Sequence, residues 1–509
     1  MKLILDNNYV SIDDENQTII IDRKTLQLQN NTKLNDQNEK YDFLFPLGIY
    51  KLNDELYIVI VTEDSKISNF RNIQKIESYK IIQITTGITD NNIYNLLKRG
   101  LDLCSMYYSK NQNENLAINY QDFLQGRKSR GEFTWNKVPM KRFQDIFKTE
   151  KFTIPVVAGY VSYNDPFMII ARRSRNFAGA HYWNRGADEN GHPANFIESE
   201  ELYFKNDKIY SYIQLRGSIP ALWSQTPPED PFLPPALGPL SESKRRFDLH
   251  FKKFLKNYKN VKVISLTSDK NREKSLTLLY HNLLDENNIH YKHMNVNELQ
   301  RVDGGIYKAV DEELKDSDLL VCEKGIVKKC QTCYTRTNCL SCLDRANVVQ
   351  SNAGEIILSY FEKLTEEEIL KLKQLWVDHG NAISYQYSLT GAQRTQMTLS
   401  TKAVFAADMK DNYMRVKRLL NEVSIEGKAT DAYCVVTQDT DIVSFKRIGW
   451  FKWLFLLIFS FFISIFVLIV YRDRRKAFHT FKKYGGEVVD HPHYRTTLEA
   501  DEQYPPDNK

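Results

Sequence analysis

Cys339 and Arg345 stand with five residues between them in the stretch TNCLSCLDRAN, residues 337–347. That spacing lets a thiolate and a guanidinium hold one phosphate between them. The thiolate attacks phosphorus in line and leaves a phosphocysteine, which water must then hydrolyse. The guanidinium binds two non-bridging oxygens and follows the charge through the planar transition state. Asp344, beside the arginine, is placed to protonate the leaving alkoxide. Asn338, Leu340, Ser341, Cys342 and Leu343 complete the predicted cradle around the anion.

A Cys-x5-Arg pair recurs by chance in a chain with seven cysteines, so its setting decides. In the segment NVVQSNAGEIILSYFEKL that follows, Val349, Ala353, Ile356, Ile357, Tyr360 and Phe361 mark one helical face. The loop therefore precedes a helix N-terminus, where free N–H groups and the helix dipole collect an anion. The same field stabilises a thiolate: a free thiol near pKa ~8.5 falls to about 3.5–7.5 in such places. The competing chemistry is a metal site. Cys330, Cys333, Cys339 and Cys342 form C-x2-C-x5-C-x2-C, two pairs of the kind that close around zinc. The five-residue gap is short for two knuckles, and Arg345 suits a phosphate better, so no cofactor is expected.

These residues need a scaffold, and the 509-residue chain is long enough for two or three domains with real cores. Its 42% apolar and 26% charged residues are ordinary globular values, and a net charge of +5 gives no reason to expect nucleic acid as a partner. Four of the seven cysteines crowd between 330 and 342, unlike a secreted disulfide framework, so a reduced, cytosol-facing chain is expected. Residues 1–145 read mostly as short β-branched strands separated by Asn- and Asp-rich turns, with a helical exit over 92–110. From 146 to 440 strands and helices alternate, which predicts an α/β (α+β) phosphatase domain. Seven prolines between Pro220 and Pro239 predict an irregular loop. Ser243 to Asn260 is basic with interleaved aromatics, either the solvated face of an amphipathic helix or a surface for anionic lipid.

Within 449–471, the run from Trp453 to Tyr471 carries no charge and as a helix would extend roughly 28 Å, about the hydrocarbon thickness of a bilayer. It predicts one transmembrane segment, followed by a basic and then polar tail over 472–509. The six cations from Arg472 to Lys483 would put the tail in the cytosol. The N-terminus has no signal peptide, however, so some 440 preceding residues are expected to stay cytosolic instead. A hairpin would satisfy both demands, but each arm would be roughly 17 Å, too short to cross.

The chain resembles the Sac-domain phosphoinositide phosphatases. Arg336 to Asn347, RTNCLSCLDRAN, is similar to the family's R-x-N-C-x-D-C-L-D-R-T-N. ARRSRNFAGAHYWNRGADENGHPANFIESE (171–200), SYIQLRGSIPALWSQ (211–225), LWVDHGNAISYQYSLTGAQRT and GEFTWN (131–136) resemble further family segments in the same order. The resemblance implies a β-rich Sac N-terminal module packed on a Cys-x5-Arg phosphatase domain. It implies hydrolysis of phosphatidylinositol monophosphates, chiefly the 4-phosphate, without a metal. It also implies anchorage to endoplasmic reticulum or Golgi membrane through C-terminal segments, and the absent signal peptide then leaves the catalytic domain facing the cytosol. On this reading Cys339 is the nucleophile and Arg345 the phosphate-binding arginine, while Asp344 occupies a position where a related family carries its acid. Arg172, Arg173, Arg185, Arg216 and Trp223 lie on the resembling segments, Arg185 and Arg216 being the expected substrate contacts.

Four positions depart from the pattern. Ser341 replaces an aspartate, and Ala346 replaces a hydroxyl residue that in cysteine phosphatases helps the thiolate leave. FAGAHY stands for RAGTRY through Phe177, Ala180 and His181, and Asn381 replaces an acidic residue. The alternative expectation is therefore an impaired Sac protein that binds phosphoinositide or membrane partners.

Overall fold

The computed structural model describes residues 1–14, 17–29, 39–111, 114–225, 234–399 and 405–438. The predicted membrane span and tail lie outside the described residues. Among the described residues no helix is long and apolar enough to cross a membrane.

The chain opens with β1 (Lys2–Leu5), β2 (Tyr9–Asp14), β3 (Gln17–Asp22), β4 (Leu28–Gln29) and β5 (Glu39–Asp42). They form an antiparallel sheet in the order β4-β3-β2-β1-β5. Next come β6 (Phe45–Leu52), β7 (Glu55–Ser68), β8 (Ile73–Gln83), α1 (Asn91–Asp102) and β9 (Met106–Ser109). The expected helix over 92–110 thus ends early. Of Met106–Ser109 only the two tyrosines favour a strand, and pairing with both β8 and β10, defined below, overrides local continuation of the helix. The short α2 (Tyr120–Leu124) and α3 (Lys137–Phe147) lead to β10 (Val157–Asn164), β11 (Phe167–Arg173), β12 (Ile197–Lys205) and β13 (Lys208–Arg216).

The ribbon of β14 (Trp223–Ser224) and β15 (Ala236–Leu237) flanks the proline-rich segment, whose residues 226–233 are not described. The remaining elements are α4 (Leu240–Asn257), β16 (Asn260–Ser265), α5 (Lys274–Glu286), β17 (Tyr291–His293), α6 (Val296–Leu299), α7 (Gly305–Leu314), β18 (Leu320–Glu323), β19 (Ile326–Lys329), β20 (Cys333–Asn338), α8 (Asp344–Ser359), α9 (Glu366–Ser388), α10 (Thr395–Leu399), α11 (Phe405–Ser424) and α12 (Glu426–Thr437).

One sheet runs β17-β16-β20-β13-β12-β11-β10-β9-β8-β7-β6, so the N-terminal strands and the catalytic strands share a continuous ladder. It is antiparallel from β6 to β13 and parallel across β13, β20, β16 and β17. This mixed sheet with its helices is the α/β class expected. Core packing fixes the site. α8 buries Val348, Val349, Ala353, Ile356 and Ile357, the valines and isoleucines each contributing roughly 1.5–3 kcal/mol. α9 packs against it and starts at a capping box between Thr365 and Glu368. α4 confirms the amphipathic reading of the basic stretch: Phe247, His250, Phe251 and Phe254 are buried, while Lys252, Lys253 and Lys256 face solvent.

Candidate active site

β20 lies between two parallel neighbours, and its last residue, Asn338, hands the chain to the loop 339–343 and then to α8. Open parallel sheets place ligands beyond the carboxyl ends of such strands. Leu343 occupies the α8 N-cap with no side-chain cap, leaving the first amides of the helix and loop for another acceptor. Cys339 Sγ takes that part. It accepts the Cys342 backbone N–H at 2.9 Å, while the Cys339 N–H donates to Cys342 Sγ at 3.1 Å. Cys342 sits in the left-handed region at φ 50, which folds the loop tightly enough for this exchange.

Burial alone would push the Cys339 thiol up. The Cys342 thiol donating to it, the nearby Arg345 charge and the N–H groups of Ser341 and Cys342 outweigh burial and bring Cys339 down to about 6. At neutral pH it is mainly thiolate. Cys342 moves the other way: burial and the adjacent Cys339 raise it, so it remains a thiol. Its Sγ lies 2.8 Å from Gly217 O and 3.1 Å from Cys339 O, acceptors that share its one proton with Cys339 Sγ. The two cysteines thus differ in state, Cys339 held toward the thiolate and Cys342 toward the thiol. The four thiols of the C-x2-C-x5-C-x2-C pattern do not converge; among the described residues no group of three or more His, Cys, Asp or Glu is arranged to hold a metal.

Arg345 is held from behind. Nη1 donates to Leu266 O at 2.8 Å and to Glu273 Oε2 at 3.0 Å, and Nη2 donates to Glu273 Oε1 at 3.0 Å. Burial opposes its charge, but Cys339 and Glu273 more than compensate and keep it protonated. A guanidinium has five N–H donors, so Nε–H and the second Nη2–H remain without an acceptor among the described residues. Those are the donors available to a phosphate.

Asp344 is differently placed from a free acid. Its Oδ1 accepts the Gln393 N–H at 2.6 Å, and its Oδ2 accepts Arg418 Nη1 at 2.8 Å. Both oxygens are engaged by donors, tying the first turn of α8 to α11 and to the segment after α9. Arg185 braces the loop from the opposite side, donating through Nη1 to Leu340 O at 2.9 Å and Ser341 Oγ at 3.3 Å, and through Nη2 to Gln225 Oε1 at 3.0 Å. Asn195 Nδ2 reaches the carbonyls of Ser341 and Cys342, each at 3.4 Å.

Arg216, the last residue of β13, is fully buried and donates to Asn347 Oδ1 at 3.4 Å. Burial lowers it to about 10, although Cys342, Cys339 and Asp344 favour its charge. Its Nε and Nη2 have no partner among the described residues, nor do the side-chain atoms of Asn338. Arg172 and Arg173 stand apart from the loop. Arg172 pairs with Glu198 at 3.2 Å and Glu200 at 2.6 Å in the core, and Arg173 donates to the carbonyls of Gln386 and Gly179. Trp223 packs under Arg185, its ring 5.6 Å from the guanidinium carbon.

Sequence reasoning missed Glu273, Arg418, Gln225 and Asn195, and treated His181 only as a departure. His181 Nε2 lies 2.7 Å from Ser341 Oγ. Ala346 is buried among α8 and α9 side chains and brings no hydroxyl to the loop.

Residues 46–301, half of the chain, match the SacI homology domain family. The chain is similar to phosphoinositide phosphatase SAC7 of Arabidopsis thaliana, 26% identical over 76% of this chain and 72% of that protein. It is 29% identical to phosphatidylinositol-3-phosphatase SAC1 of Drosophila melanogaster over 67% of this chain and 64% of that protein. Phosphatidylinositol-3-phosphatase SAC1-B of Danio rerio is 26% identical over 70% of this chain and 69% of its own length. A span covering 76% of the chain, as with SAC7, takes in residues 339–345 wherever it begins, so that similarity reaches past the matched domain. With the strand–loop–helix cradle at Cys339 and these relatives, the chain belongs to the SacI homology domain family.

Proposed function

We propose that the protein is a phosphoinositide phosphatase that hydrolyses phosphatidylinositol monophosphates, the 4-phosphate foremost, through a phosphocysteine at Cys339. The observation that carries the reading is the lowered Cys339 thiol seated on the Cys342 amide beside an arginine with two uncommitted donors. The relatives named as phosphoinositide phosphatases support the substrate class. Two of them are named for the 3-phosphate, so the position of the phosphate is part of the test.

In the first step Cys339 Sγ attacks phosphorus and the P–O bond to inositol breaks, the leaving oxygen taking a proton from water, with Arg345 neutralising the equatorial oxygens. In the second step water cleaves the P–S bond and Cys339 leaves as the thiolate its environment already favours. The chain acts on membranes, anchored through 449–471 in the endoplasmic reticulum or Golgi with its catalytic part facing the cytosol; the uncharged run from Trp453 to Tyr471 supports this. Phosphate release from short-chain phosphatidylinositol 4-phosphate and 3-phosphate by the detergent-solubilised chain, beside Cys339→Ser, tests the activity. Release with the 4-phosphate ahead supports the proposal in full. Release no faster than Cys339→Ser refutes it.

A further inference from the structure

The side chains around Cys339 are nearly all committed. The Cys342 thiol is bonded to Gly217 O and Cys339 O, both Asp344 oxygens accept donors, and Ala346 carries no polar atom. Ser341 is the hydroxyl-bearing residue of the loop between Cys339 and Asn347, and it is half-buried rather than sealed. Behind it lies His181, only 3% exposed.

The geometry fixes the tautomer. Arg185 Nη2 is 3.4 Å from His181 Nε2, and a guanidinium can only donate, so Nε2 presents a lone pair. Ser341 Oγ, 2.7 Å away, therefore donates its proton to Nε2 and accepts Arg185 Nη1–H at 3.3 Å. The imidazole proton is then on Nδ1, which faces Glu426 Oε1 at 3.9 Å. Glu426 is itself oriented by the Tyr182 N–H at 3.1 Å. Among the described residues, the groups facing His181 include Arg185 from its own loop, Arg418 from α11, Glu426 from α12, Tyr387 from α9 and its neighbour Tyr182. Burial and the two arginines keep the ring neutral, as a proton acceptor must be.

We propose that Ser341 and His181 form a hydroxyl–imidazole relay that serves hydrolysis of the phosphocysteine, with His181 the positioning residue acting through Ser341. The inference rests on the phosphatase reading above. Water, hydrogen-bonded to Ser341 Oγ, attacks phosphorus. Its proton passes to Oγ as the Ser341 proton passes to His181 Nε2. The P–S bond breaks, its electron pair returns to Cys339 Sγ, and inorganic phosphate departs. The imidazolium, faced by Glu426, then releases its proton to solvent through Ser341. Ser341 and His181, which appear in the sequence as two separate departures, are thus one pair in space. The loop hydroxyl missing at Ala346 is supplied from Ser341.

The two steps separate in a rapid-quench experiment on the detergent-solubilised full chain with radiolabelled short-chain phosphatidylinositol 4-phosphate. Label retained on Cys339 after an alkaline denaturing quench reports the first step, and free phosphate reports the second. In Ser341→Ala and His181→Gln the labelling rate is expected to stay within a few-fold of the parent, while phosphate release falls about 10²-fold and labelled enzyme accumulates. The acid limb of the release step is expected to flatten in His181→Gln, while the pH profile of Cys339 alkylation stays in place. The paired variant Ser341→Asp/His181→Arg, which restores a charged contact, is expected to release phosphate faster than Ser341→Asp alone. Equal loss in both steps, or no loss in release, overturns the relay. If the parent chain itself neither labels nor releases phosphate, the phosphatase reading falls and the relay with it.

Discussion

Glu273 grips Arg345 with both carboxylate oxygens, at 3.0 Å each, from the turn that begins α5. Burial works against the Glu273 charge, but Arg345 and the Ser268 N–H hold it below the usual carboxylate range. The pair leaves the other edge of the guanidinium without an acceptor among the described residues and removes its freedom to swing, and on the proposed function that edge takes the phosphate. Glu273→Gln is expected to lower kcat/KM for the phosphorylated substrate about 10-fold or more, on the order of 1–3 kcal/mol for a charged buried partner. Glu273→Asp should recover part of it. Steady-state kinetics with both variants check this, and an unchanged kcat/KM would show that Arg345 needs no brace.

The state of Cys339 sets a pH threshold. Its thiol lies at about 6 against roughly 8.5 for a free thiol. Iodoacetamide alkylation of the folded chain should therefore fall as pH drops through about 6. In Cys342→Ala the threshold should rise, because a side-chain donor is gone. The same shift has a stability sign. A depressed folded value favours the native state above the unfolded pKa, and this contribution fades as pH falls through about 6. Mass spectrometry of alkylation rate against pH reads the threshold. A midpoint near 8.5 would mean that the loop donors do not act on the thiol.

Asp344 offers a direct contrast between acid and clamp. Both of its oxygens are occupied, by Gln393 N–H and Arg418, in the ion pair at 2.8 Å. If it serves as a clamp, Asp344→Asn should slow a good leaving group, p-nitrophenyl phosphate, as much as it slows the inositol lipid. A general acid would matter only for the poor leaving group. The expected outcome is equal loss, of roughly 10-fold, for both substrates, reflecting a displaced α8 N-terminus. Selective loss with the lipid would assign the acid role to Asp344.

How much of this was legible depended on distance along the chain. Cys339 and Arg345 announced themselves because their spacing and the helical face from Val349 onward are local signals, and the structure does set them at a strand–helix junction. Glu273 gave no signal. Its partner lies 72 positions away, and a carboxylate at the start of a helix is ordinary. Arg172 and Arg185 sit on one motif, yet one is neutralised in the core by Glu198 and Glu200 and the other braces the loop. Composition does not say which side of a sheet a residue faces. His181 and Ser341 read as two losses because sequence separates them by 160 positions that the fold closes to 2.7 Å. The strand at Met106–Ser109 was hidden for the same reason: it is specified by its two neighbours, β8 and β10, rather than by its own residues.

A second buried carboxylate gives a prediction with the opposite pH sign. Glu201 on β12 is buried between the sheet and α9, where Trp376 Nε1 donates to its Oε2 at 2.6 Å. Burial raises it to about 8; the Trp376 donor pulls it down and the nearby Glu355 adds to the rise. At neutral pH it is largely protonated, a neutral group filling the space beside Gly354, where an added Cβ would stand only 2.0 Å from Oε2. A carboxyl raised above its unfolded value contributes stability that is fully present below about pH 4.3 and is lost as pH rises through about 8. Chemical denaturation of the chain should show stability falling between about pH 5 and 8 and levelling off above. Glu201→Gln, which keeps the shape and the acceptor for Trp376, should flatten that decline, whereas Gly354→Ala should destabilise at every pH by roughly 1–3 kcal/mol through overpacking. If Glu201→Gln leaves the slope unchanged, the carboxyl is not the group that titrates.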